Sequence, residues 1–200
     1  MADGHRMNSQ PKIGILAVQG DFEAHAKVLA RLGVEPAFVR APADLDGLDG
    51  IILPGGESST QLHFLNEEGL KEALEKFSAG GGAFFGTCAG AILLAREVRH
   101  PAQESLGFAD LVVARNAYGR QLSSHVISAP SRLKDEPLEM VFIRAPIIEQ
   151  QGSGVEILAE AEGHPVLVHQ GRVLVATFHP ELTGDTTVHE YFLKLVRNGK

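Results

Sequence analysis

Short apolar runs alternate along the first half of the chain with stretches whose apolar positions recur at helical spacing. That alternation is the signature of βαβ units around a mainly parallel sheet. Residues 13–18 form an apolar run fit for a buried strand. Behind Gly20, Asp21 is placed to cap a helix in which Phe22, Ala26, Leu29 and Leu32 line one face, and Gly33 ends it. Residues 34–39 and 50–53 read as the next strands, the second running straight into Pro54-Gly55-Gly56-Glu57-Ser58. Residues 58–77 hold one or two helices, with Asn66 and Gly69 marking a break. Gly80-Gly81-Gly82 is a turn, residues 83–85 a short strand, and residues 88–98 a helix rich in Ala and Leu.

The second half changes character. Residues 111–115, 121–128, 140–144, 155–160, 165–169 and 172–178 have the pattern of strands separated by turn residues, and only 186–196 is helical again. A parallel α/β half is thus followed by a strand-rich half, expected to add antiparallel strands to the same sheet. No linker, charge block or internal repeat divides the chain. Residues 12–200 read as a single domain behind a polar, disordered extension over residues 1–11.

Composition narrows the function. The chain has 200 residues, 44% hydrophobic and 22% charged, as in an ordinary globular protein. Its 18 Lys and Arg face 25 Asp and Glu, a formal net charge of −7. An acidic balance argues against a nucleic-acid platform or an anionic-membrane binder, both of which need basic surface. No run approaches the roughly 18 uncharged apolar residues of a membrane span, and residues 1–11 lack the apolar core of a signal peptide. The single cysteine, Cys88, cannot form an internal disulfide or a multi-thiolate zinc site, which points to the cytoplasm.

That cysteine sits in Gly86-Thr87-Cys88-Ala89-Gly90, between an expected strand and an expected helix. This is the nucleophile elbow with Cys in place of Ser. The tight turn forces the nucleophile into a strained conformation, and the flanking glycines relieve crowding. At the helix N-terminus the dipole favours thiolate, and the Ala89 amide is free to stabilise an oxyanion. A cysteine nucleophile needs a base and a group to orient that base. His179-Pro180-Glu181 supplies both at the end of a strand, since residues two apart in extended chain point to one side. In Pro54-Gly55-Gly56 the glycines let backbone amides approach a substrate, so that Gly55 or Gly56 completes the oxyanion hole. The other histidines match no zinc spacing, and no metal site is expected. Arg115 and Arg144 end two further strands, and their guanidinium forks suit a carboxylate.

Taken together, the Cys elbow, the downstream His-Pro-Glu and the upstream Pro-Gly-Gly loop resemble class I glutamine amidotransferases. Ala17-Val18-Gln19-Gly20-Asp21, residues 53–59, 85–90, 115–121, 142–146 and 178–183 are similar to the glutaminase subunits of pyridoxal 5′-phosphate synthases, over about residues 13–196. The resemblance implies a three-layer α/β/α, flavodoxin-like mixed sheet, mainly parallel with added antiparallel strands. It implies hydrolysis of L-glutamine to glutamate and ammonia, with Cys88 as nucleophile, His179 as proton carrier, Glu181 as its orienting group and a glutamyl thioester as intermediate. Gly56, Glu57, Ser58, Arg115, Ile143 and Arg144 match the family's glutamine-contacting positions, and Gln19 a position at the interface with the partner. That partner is a barrel-shaped synthase subunit that uses the ammonia to make pyridoxal 5′-phosphate, and the glutaminase itself needs no cofactor. The alternatives are a cysteine-elbow hydrolase of related fold and a non-catalytic, glutamine-sensing regulatory module.

Overall fold

The computed structural model describes residues 10–115 and 124–199. Most of the expected extension (residues 1–9) and residues 116–121 of the Arg115 motif lie outside the described residues, while Pro11 is already buried.

The central sheet has seven strands in the order β10-β11-β12-β4-β3-β1-β2. These are β1 (Ile13–Leu16), β2 (Ala37–Val39), β3 (Gly50–Leu53), β4 (Ala83–Thr87), β10 (Glu156–Ala161), β11 (His164–Gln170) and β12 (Val173–Ala176). The five strands from β12 to β2 run parallel, and β11 and β10 are added antiparallel. The inner strands β1, β3, β4 and β12 are buried at every position. Continuous apolar runs are what a parallel sheet covered on both faces requires.

Helices α1 (Phe22–Arg31) and α5 (Thr187–Asn198) cover one face, where Leu29, Val188, Phe192 and Val196 pack on Ile13, Ile52 and Phe85. Helices α2 (Ser58–Glu67), α3 (Leu70–Ala79) and α4 (Ala89–Leu94) cover the other, with Leu65, Leu74 and Leu93 against Leu16, Leu53 and Phe84. The break expected near Gly69 is real: its φ of +69° separates α2 from α3. The three-layer α/β/α arrangement with a mainly parallel sheet is therefore present.

Several local expectations need correction. The helix read over residues 88–98 stops at Leu94, and β5 (Ala95–Arg99) follows it. Parallel pairing of β5 with β6 (Ala109–Ala114) overrides the helical preference of this segment. The later strands do not all join the central sheet. Strand β9 (Ile147–Gln151), not foreseen, pairs with β6 to make a three-stranded sheet, and β7 (Ser124–Ala129) with β8 (Leu138–Ile143) a separate hairpin. The strand expected over 34–39 shortens to β2, and Asp21 occupies the N-cap of α1 without a side-chain capping bond.

Candidate active site

Adjacent parallel strands set the site. Ala176 of β12 is in register with Thr87 of β4, and Leu53 of β3 with Gly86. The residues that follow each strand therefore emerge side by side at one edge: His179 after β12, Cys88 after β4, Gly55-Gly56 after β3, and Gln19 after β1. In open α/β sheets, the carboxyl ends of the strands are where ligand sites form.

The elbow is strained as its sequence suggested. Cys88 has φ +47° and ψ −100°, and its amide donates to the carbonyl of Ala176 at 2.9 Å. Backbone strain of this kind persists only where its surroundings hold it. The flanking glycines are required by close approach: a Cβ on Gly90 would lie 2.0 Å from the carbonyl oxygen of Leu53, and one on Gly86 would lie 2.6 Å from that of Gly90. Cys88 is buried at the foot of a cavity of about 350 Å³, within the range of small-molecule sites. Its Sγ lies 3.8 Å from the carbonyl oxygen of Ile143.

His179 lines the same cavity, and its Nδ1 is 2.7 Å from Oε1 of Glu181. Both side chains are buried. Burial alone would disfavour an imidazolium. Hydrogen bonding to Cys88 and Glu181 outweighs it and lifts His179 to a pKa of about 10. For Glu181, burial raises the carboxyl, but the facing His25 and His179 bring it below the usual carboxylate range. The result is an imidazole biased toward its protonated form between the Glu181 carboxylate and Cys88, with Glu181 behind the cavity rather than lining it.

The cavity brings together every other expected residue. Gly55, Gly56, Ala89, Glu57, Ser58, Arg115, Ile143, Arg144 and Gln19 all line it. The carbonyl of Gly55 accepts from the Asp21 amide at 3.0 Å, so the Gln19-Gly20-Asp21 loop braces the Pro-Gly-Gly loop. Gln19 Oε1 accepts from the Glu57 amide at 2.9 Å. Glu57 caps α2 through the amides and hydroxyls of Ser59 and Thr60, and accepts from Arg115 at 3.1 Å. Burial opposes its charge, yet these bonds hold the carboxyl down at a pKa of about 2. The Ser58 hydroxyl is turned to Gln103, to which it donates at 2.9 Å.

The sequence assigned no site role to Asp21 and Ile92, which also line the cavity, or to three buried polar residues behind it: His25, Thr87 and His189. A signal for the histidines existed. His25 and His189 sit on the apolar stripes of α1 and α5, where a polar residue must find a buried partner.

Comparison with known proteins follows the same lines. A model described as the SNO glutamine amidotransferase family matches residues 15–198. The chain is 57% identical to "Pyridoxal 5'-phosphate synthase subunit PdxT" of Koribacter versatilis, over 94% of this chain and 97% of the relative. It is 50% identical to the protein of that name from Thermotoga neapolitana, over 93% of this chain and the whole of the relative. Among solved structures, "Crystal structure of glutamine amidotransferase" superposes with a TM-score of 0.87 at 45% identity, covering 92% of this chain and 98% of that one. "Structure of PurLQS from Thermotoga maritima", at 16% identity and a TM-score of 0.70, shares the fold, covering 93% of this chain and 99% of that one.

Proposed function

The chain belongs to the SNO glutamine amidotransferase family, and on that premise we propose that Cys88, His179 and Glu181 are the catalytic triad of its glutaminase reaction. The protein is the glutaminase subunit that hydrolyses L-glutamine and supplies ammonia to its synthase partner for pyridoxal 5′-phosphate, and hence vitamin B6, synthesis. The observation that carries the triad is the 2.7 Å contact between His179 and Glu181, opening onto the cavity that Cys88 shares.

The chemistry follows from that contact. The sulfur of Cys88 bonds to the side-chain amide carbon of glutamine while His179 holds the thiol proton. The tetrahedral oxyanion is received by the amide of Ala89, unpaired at the start of α4, and by an amide of the Gly55-Gly56 pair. His179 then passes its proton to the departing nitrogen as the carbon–nitrogen bond breaks, which releases ammonia and leaves a glutamyl thioester. A water, deprotonated by His179, attacks the thioester; glutamate leaves and the thiol is restored. Glu181 keeps the imidazole oriented and stabilises its charged form throughout.

The far end of glutamine is a zwitterion, and its recognition needs both signs of charge. Arg115 and Arg144 offer cations and Glu57 a carboxylate at the cavity wall, with Gly56, Ser58 and Ile143 completing it. We assign Gln19, partly exposed at the rim, to the interface with the synthase subunit. No described helix is long and apolar enough to cross a membrane; a lone thiol nucleophile suits the reducing cytoplasm, where we place the protein.

Ammonia release from glutamine, measured with the synthase subunit present, tests the triad. Cys88→Ala is expected to fall to background. A variant that keeps the wild-type rate overturns the assignment.

A further inference from the structure

Glu181 carries a problem that the triad does not solve. Its Oε1 is taken by His179, but its Oε2 is buried and makes no hydrogen bond within ordinary distance. A carboxylate oxygen left without a partner in the interior is costly. It faces Nε2 of His25, 3.5 Å away. His25 is wholly buried on α1 and is itself held at both nitrogens. Nε2 lies 3.1 Å from Oγ1 of Thr87, the residue before the nucleophile, and Nδ1 lies 2.9 Å from Nε2 of His189 on α5.

Only one tautomer satisfies this chain. Suppose His25 carried its proton on Nδ1 and donated to His189. Its Nε2 lone pair could then accept from the Thr87 hydroxyl but would also face the Glu181 carboxylate, and His189 would need its own proton on Nδ1, a buried atom with no partner. A stranded N–H beside a lone pair aimed at an anion is the worst arrangement available. With the proton on Nε2, His25 donates to Thr87 Oγ1 and keeps the positive end of that N–H 3.5 Å from Glu181 Oε2, an electrostatic contact rather than a hydrogen bond. His189 then donates from Nε2 to His25 Nδ1, and its empty Nδ1 holds only a lone pair.

We infer that His25 is a positioning residue for the glutaminase reaction: its Nε2–H, selected by His189 and steadied by Thr87, fixes the outer oxygen of Glu181 so that the inner one keeps His179 aimed at Cys88. The inference rests on the triad proposed above. Both histidines are suited to act as neutral groups. Burial lowers His25, against the pull of Glu181, with His179 lowering it further and Asp21 raising it. His189 is held well below its ordinary range by burial, with His25 and Arg31 adding to the effect. The cluster buries three polar side chains from α1, β4 and α5 where aliphatic packing would serve the fold, and the group it reaches is the triad carboxylate.

Two measurements test it. Nitrogen-15 NMR of the histidine-labelled full chain at neutral pH should show His25 as the Nε2–H tautomer; the Nδ1–H form overturns the proposal. Steady-state kinetics in complex with the synthase subunit should then separate position from fold. His25→Leu is expected to lower kcat about ten- to hundredfold, the range seen when an outer hydrogen-bond partner of an active-site group is removed, with KM for glutamine unchanged. His25→Gln, whose amide nitrogen can reach the Nε2 site, should restore kcat toward wild type. A folded His25→Leu with wild-type kcat, a loss confined to KM, or a His25→Gln as impaired as His25→Leu overturns it. Should His25→Leu fail to fold, the tautomer and the glutamine variant decide. Cys88→Ala, measured alongside, reports on the triad independently: full activity there removes the triad, whatever His25 does.

Discussion

Gly55 and His179 are in direct contact: a Cβ on the glycine would fall 2.3 Å from Cε1 of the imidazole and 2.9 Å from Nδ1. The glycine thus serves the base as well as the loop, because any side chain there displaces the ring from Cys88. The atoms in the way belong to a side chain and not to backbone, so the ring gives way, at a cost, because it is buried and bonded to Glu181. Gly55→Ala is therefore expected to lower kcat about a hundredfold, the scale of a misplacement near 1 Å. It should also lower the melting temperature, through a loss of about 1–3 kcal/mol typical of overpacking, without abolishing the fold. Kinetics beside a melting curve checks it, and wild-type kcat in the variant refutes the contact's role.

The protonation of His179 has a stability signature with a definite sign. Folding raises this group from 6.5 to about 10. The folded state then binds the proton more tightly, so its contribution is complete below about pH 6.5 and is lost as pH rises through about 10. Melting temperature should accordingly decline across that window, and His179→Gln should flatten the decline. A wild type and a His179→Gln variant with parallel profiles from pH 6 to pH 10 would show that the histidine titrates in the folded protein as it does unfolded.

Arg115 is only partly exposed and is fixed by Glu57 and by the Ser59 hydroxyl, the latter at 3.0 Å, with the guanidinium on the cavity wall. On the proposed assignment, a cation held that way would bind the zwitterionic end of glutamine equally in ground and transition states. Its loss therefore belongs in KM and not in kcat. Arg115→Ala should raise KM about ten- to hundredfold, the equivalent of one charged hydrogen bond of about 1.5–3 kcal/mol. Arg115→Lys should recover little, since a point charge replaces a planar fork. Glutamine titrations of both variants decide the matter, and a fall in kcat at constant KM contradicts it.

The site was more legible than the periphery of the fold, for a physical reason. Cys88, His179 and Gly55-Gly56 each follow a short buried strand whose apolar run is visible locally, and parallel neighbours bring their ends together without further information. Strands β5 and β9 depend on pairing with β6, a long-range contact that no local pattern at Ala95 or Ile147 announces. The His25, Thr87 and His189 cluster was hidden for the same reason. It joins residues from α1, β4 and α5 that only the tertiary structure sets 2.9–3.1 Å apart.

The elbow itself offers a test of strain against space. At Gly90, on α4, an added methyl meets the backbone carbonyl of Leu53 at 2.0 Å, and Leu53 is paired in register with Gly86 of β4, so β3 cannot withdraw cheaply from the helix. Gly81 is the opposite case. Its φ is +84°, but a Cβ there meets nothing within 4 Å, so alanine costs only the left-handed backbone, about 1–2 kcal/mol. Gly90 is not at positive φ and escapes that backbone cost, but a methyl 2.0 Å from backbone that cannot withdraw puts Gly90→Ala at or above the upper end of the about 1–3 kcal/mol typical of overpacking, and it also shifts the turn that holds Cys88 at positive φ. Denaturant titration should therefore show a lower midpoint for Gly90→Ala than for Gly81→Ala, at similar slope. Glutaminase activity in the complex should be lost in the first and kept in the second. Equal midpoints, or full activity in Gly90→Ala, would mean that the elbow can relax, and that its glycines are not what keeps the nucleophile strained.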